Sequence, residues 1–405
     1  MPADRPPGGT GARRRRHRRL VPVLLAAAVV GAVVGAVVGA AGVLGGARVA
    51  GTPPLGGHGV DGGHGVDGGH GVDGGHGVDG GHGPAAACTG AAVLDPVCRM
   101  GEYTALAQQA GVGLALARLD ADRRTDGVLR GACHEIVHHL GYAEGERLGA
   151  VAPAYARGSA LCSGGYYHGA TEAVMVRAGP TTADGVCDEV AAASPRSLPH
   201  LWCAHGMGHG YLVLSGGDVL AALAGCDRHT AWEADHCHGG VFMENVAAGL
   251  SAPGGTAWLR PGDLLHPCPA LPERYKDRCY DKQTAYAFYL HDGDPGPVFA
   301  LCAAAPDVAH RPACHRGIGD RAVVRSEKLL ITEQDKADAV AALCALGPDP
   351  AARAECVDGA VATIVRHGIG DSVADHLCAG LAGSADRERC AAERSARIAE
   401  YRGSP

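Results

Sequence analysis

The stretch DVLAALAGCDRHTAWEADHCHGGVFMENVAAG, Asp218–Gly249, carries the unit from which this chain is built. An Ala/Leu-rich run ends in Cys226, turn-forming residues follow, and Cys237 opens a second apolar-periodic run. Both runs have helical spacing, so the segment reads as two antiparallel helices clipped at the neck by a disulfide. The same plan recurs at Cys268/Cys279, Cys302/Cys314, Cys344/Cys356 and Cys378/Cys390. The second cysteines stand at 162, 203, 237, 279, 314, 356 and 390. Long and short steps alternate, so the full period is two hairpins, about 76 residues. The expected fold is all-α: disulfide-stapled αα-hairpin repeats forming an α-solenoid or an α/α toroid over residues 87–402.

Sixteen cysteines allow every one to pair. Local repetition favours 88–98, 187–203, 226–237, 268–279, 302–314, 344–356 and 378–390. That leaves Cys133 and Cys162 to pair with each other or stay free. A disulfide-rich domain belongs outside the reducing cytoplasm, and the amino terminus agrees. Residues 1–19 are a basic leader containing RRRRHRR, and Leu20–Ala47 is an uncharged stretch long enough to cross a bilayer. With the arginines on the cytoplasmic side, this predicts a single-pass signal anchor at the cell membrane with the main domain extracytoplasmic; a long cleaved signal peptide is the alternative. Gly31, Gly35 and Gly39 form a small-residue ladder suited to a membrane-helix homodimer. Residues 48–86 hold GGHGVD repeats with His58, His64, His70, His76 and His82 in register. They cannot bury a core and read as a disordered linker. Net charge is −7 despite the leader, which argues against nucleic acid as a partner.

Ten of the 22 histidines lie between His134 and His238. Counted from the second cysteine of each hairpin, they fall at offsets that share much of one helix face. His134, His138, His168, His205, His209 and His238, with Glu172 and Glu244, are therefore the candidate ligands of a divalent transition metal. Zinc is the first choice, with copper or iron as alternatives. Met207 and Met243 add soft sulfur in the same region. The C-terminal half keeps few of these histidines and reads as scaffold.

Within CHEIVHHLGYAE, Cys133–Glu144, the HEIVH segment resembles the zincin motif. That resemblance implies His134 and His138 as zinc ligands, Glu135 as general base, Glu144 as a third ligand and a zinc-dependent hydrolase activity. A second set, His168-Gly169, Trp202-Cys203 and Cys237-His238-Gly239, resembles the signatures of the lanthionine-forming cyclases, which are α/α toroids. It implies zinc held by Cys203, Cys237 and His238, with His168 in acid/base work. The expected sequential disulfides use the same two cysteines, and if these form they exclude that ligation. The competing function is a non-enzymatic interaction scaffold binding a peptide or envelope protein on its concave face, its histidines serving as a pH switch.

Overall fold

The computed structural model describes residues 87–180, 183–251, 256–368 and 371–401, all within one compact unit, His70–Pro405. The predicted leader, the anchor with its glycine ladder, and the linker through residue 86 lie outside the described residues. No described helix is long and apolar enough to cross a membrane.

Among the described residues there are seventeen α-helices and no strand, only an isolated bridge between Arg260 and Asp263. The first six are α1 (Pro96–Ala110), α2 (Val112–Asp122), α3 (Gly127–Gly131), α4 (Cys133–Leu148), α5 (Val151–Tyr155) and α6 (Gly165–Ala178). Then come α7 (Asp188–Ala193), α8 (Leu198–Leu214), α9 (Val219–Cys226), α10 (Ala231–Ser251), α11 (Glu273–Leu290) and α12 (Pro295–Ala303). The last are α13 (Arg311–Leu329), α14 (Glu333–Cys344), α15 (Pro350–Arg366), α16 (Asp371–Gly380) and α17 (Ser384–Tyr401).

The opening segment forms the expected hairpin. Asp218 caps α9 by accepting from the amides of Leu220 and Ala221 at 2.9 and 3.2 Å. The Cys226–Cys237 disulfide then ties the end of α9 to the second turn of α10. All seven sequential disulfides are present, and Cys133 pairs with Cys162, so no cysteine is free. Thiolate ligation of zinc by Cys203 and Cys237 is thereby excluded, because both sulfurs are in disulfides.

The Cys-started helices α4, α6, α8, α10, α11, α13, α15 and α17 stand side by side in one row. Several neighbours touch backbone to backbone. A Cβ on Gly169 of α6 would lie 2.0 Å from the His138 carbonyl oxygen, and one on Gly240 of α10 would lie 2.0 Å from that of His205. Only glycine permits this approach, and it sets the histidines of adjacent helices within a few ångströms of one another. The core behind the row is correspondingly thin: mostly Ala, Val and disulfide sulfur, with Tyr166, Tyr280 and Phe242 the largest fully buried side chains.

The row curls so that its later helices reach its earlier ones. The carboxyl end of α13 docks on the start of α4, where Lys328 Nζ donates to Glu135 at 2.9 Å, and α13 also packs on α3. Trp202 of α8 donates from Nε1 to the Arg366 carbonyl at the end of α15, 3.1 Å away. Tyr401, ending α17, packs with Leu201 and Trp202. The curl borders an open cavity of about 1350 Å³.

Candidate metal centre

Four adjacent helices deliver the histidines to the cavity wall. α4 supplies His134 and His138, α6 supplies His168, α8 supplies His209, and α10 supplies Met243 and Glu244, while Glu172 of α6 and His205 of α8 are buried beside them and do not line the cavity. The rings form a continuous cluster. His168 lies 4.7 Å from His205 and 5.7 Å from His209 between centroids, and His138 lies 5.6 Å from His209. Two donor groups have ligand atoms all within 4.8 Å of one another: His168, His205 and His209, and His138, Glu172 and His209. His209 belongs to both.

His209 is the best prepared of these ligands. Its Nδ1 donates to the Glu244 carboxylate at 2.8 Å, which orients the ring and leaves Nε2 as the acceptor nitrogen. That Nε2 is buried and has no hydrogen-bond partner. His168 Nδ1 and Glu172 Oε2 are likewise buried without a hydrogen bond, although Glu172 Oε2 stands 3.4 Å from His138 Nε2. Buried polar atoms are nearly always satisfied, so three unpartnered ones within two donor groups that share His209 mark a place for a ligand.

The charge states of His168 and His205 suit metal binding. Burial, reinforced by neighbouring imidazoles, holds His168 and His205 well below the usual histidine value, so both are neutral with lone pairs available. At His209 burial acts in the same direction, but the Glu244 hydrogen bond and charge outweigh it and raise its value. Burial, with the Glu244 charge nearby, pushes Glu172 up to about 7.

The remaining expected residues fall outside the two donor groups. His134 stays at the rim, 5.7 Å from the His168 ring, and its Nδ1 donates to the Cys162 carbonyl at 2.9 Å. Cys162 and Ser163 both adopt left-handed backbone there, with φ of 54° and 65°, aiming that carbonyl at the ring. His238 is not brought to the cluster: its Nε2 lies 3.0 Å from Asp227 and its ring packs 4.9 Å from Tyr275. It stands one residue after its cysteine, whereas His168 and His209 stand six after theirs. Five residues turn a helix by about 140° beyond a full turn, which carries His238 round to the hairpin neck. Glu244 holds His209 rather than joining a donor group. Glu135 lines the cavity, but its carboxylate pairs with Lys328. Glu144 is engaged by Arg147 at 2.5 Å and by Arg157 at 3.4 Å. With no strand among the described residues, the sheet that would accompany a zincin helix is not found there.

The sequence reading missed a second buried polar centre. Asp320 of α13, 2% exposed, accepts from Arg366, Thr363 and Lys282 at 2.9, 2.8 and 3.4 Å and from Arg321 at 2.5 Å. A signal existed: Asp320 is six residues past Cys314, the offset that His168 and His209 occupy in their own repeats. The C-terminal half therefore uses the same inward position for an ion-pair knot joining α11, α13 and α15. Compared with known protein families, curated proteins and solved structures, the chain has no match in any of the three.

Proposed function

We propose that this domain binds one divalent transition metal ion on His168, His205 and His209, with His138 and Glu172 at its flank. The observation that carries the reading is the orphaned Nε2 of His209, held in place by Glu244 through the opposite ring nitrogen. That arrangement matches the carboxylate–histidine–metal pattern in which a second-sphere partner fixes the ligand tautomer. Imidazoles with a carboxylate favour zinc. The Met243 sulfur, 3.4 Å from His205 Nε2, is the feature that favours copper instead. An ion at this position would face the cavity, which suits binding or activating a ligand better than a closed structural site does. The eight disulfides support an extracytoplasmic setting, and the membrane anchor is part of the same proposal.

The test is metal analysis of the full-length protein after exhaustive dialysis, beside a His168→Ala/His209→Ala double variant. Both proteins carry the same histidine-rich linker, so the difference isolates the cluster. The expected difference is about one ion per chain, as for a single set of ligands. Equal metal content, with the variant folded, would overturn the proposal and favour a metal-free scaffold. Because Glu135 is paired with Lys328, Glu135→Gln should leave metal content unchanged.

A further inference from the structure

The cavity that the histidines face has a second end, of different chemistry. Arg123, just past α2, Arg130 on α3 and Lys336 on α14 all line it. Arg123 pairs with Asp120 at 2.6 Å. Arg130 and Lys336 form no ion pair with any described carboxylate. Arg130 Nη1 donates to the Arg123 carbonyl at 3.0 Å, while its Nε is buried without a partner. Two acids, Glu327 and Glu333, line the same cavity and act on Lys336 without reaching ion-pair distance of it. Glu327 accepts from the Ser163 hydroxyl at 2.9 Å, and Glu333 accepts from Ser372. Burial together with the charges of Arg123 and Arg130 outweighs Glu327 and Glu333 and holds the Lys336 ammonium below its usual value. Arg123 is balanced by Asp120, so Arg130 and Lys336 are the two cations there without an ion pair, and an entering anion would supply one. Met100 and Leu161 line the same cavity and pack on the cluster that contains Leu129, the residue before Arg130.

We infer that this end of the cavity is an anion subsite, formed by Arg130, Lys336 and Arg123, for the oxyanion group of an organic ligand whose apolar part lies against Met100 and Leu161. Carboxylate and phosphate share the chemistry that these three donors recognise. A cavity of about 1350 Å³ accommodates a ligand larger than a free inorganic ion. The subsite goes beyond the metal reading and does not depend on it, so either can fail alone.

The experiment is calorimetric titration of metal-stripped, full-length protein with citrate in one arm and pyrophosphate in the other. Wild type is compared with Lys336→Gln, Arg130→Gln and His209→Ala. Lys336 makes no ion pair, so its replacement is expected to leave the thermal melt intact. The arginine-rich leader is common to all four proteins, and the readout is the component that depends on Lys336. Saturable binding weakened about tenfold or more by Lys336→Gln and by Arg130→Gln, but unchanged by His209→Ala, is the expected result. Binding confined to citrate assigns a carboxylate ligand, binding confined to pyrophosphate a phosphate ligand, and binding of both the shared oxyanion chemistry. Absence of binding in both arms, or binding that Lys336→Gln leaves unaltered, overturns the inference.

Discussion

At the scale of single residues, the candidate centre depends on which nitrogen of each imidazole is spoken for. His209 has Nδ1 committed to Glu244 and Nε2 open. Glu244→Gln should therefore leave the ion bound but weaken it by about 10–100-fold, since the carboxylate raises the basicity of the ring it holds. Competition with a fluorescent chelator measures this, and His209→Ala should lose the ion altogether. His236 makes a different prediction. Burial, with Arg278 nearby, lowers it to about 3, so the folded protein keeps it neutral. The unfolded chain protonates it below its ordinary value of 6.5. Below pH 6.5 the unfolded state thus binds more protons. Stability should then fall by about 1.4 kcal/mol per pH unit from this residue alone, down to about pH 3. His236→Gln should flatten that part of the curve in urea melts across the range.

Glycine contact and disulfide are two of the devices that join elements here. Gly169 lies where a Cβ would fall 2.0 Å from the His138 carbonyl oxygen. Gly169→Ala must push α4 and α6 apart, with an expected loss of about 1–3 kcal/mol from overpacking. Because those helices carry His138 and His168, metal affinity should fall together with the melting temperature. The neck disulfides act on the hairpins instead. Replacing Cys226 and Cys237 together by alanine should cost about 2–4 kcal/mol in denaturant unfolding. It should leave the His168/His205/His209 group near its place, because Gly240 still seats α10 against α8.

On the scale of the whole described unit, the curl brings the late repeats onto the early ones and makes the cavity. Trp202 is central to that closure: it is 4% exposed, stacked on Tyr167 at 4.7 Å, and bonded to the Arg366 carbonyl. Trp202→Ala should cost about 3–5 kcal/mol and speed hydrogen exchange at the end of α15. By contrast, the Lys328–Glu135 pair is largely solvated, its side chains 37% and 57% exposed, and breaking it should cost no more than about 1 kcal/mol.

Local pattern determined much of this molecule. The cysteine ladder and the apolar runs beside it dictated helix, neck and helix, because period and turn chemistry act over a dozen residues. The same regularity made the seven sequential disulfides legible in the sequence. The glycines beside the histidines, as in HGMGHG, leave room for a ligand or an adjacent helix, and the structure gives that room to backbone contact. What only the tertiary structure decided depends on helix rotation and on the curl of the row. Rotation sends His238 to Asp227 while His168 and His209 turn inward, and a count of offsets resolves that poorly when positions differ by a fraction of a turn. The curl sets Lys328 against Glu135, Arg366 under Trp202, and Arg130 and Lys336 in one cavity. Those partners are separated by some 160 to 210 residues of chain, and no local pattern encodes a contact that arises only when the row closes on itself.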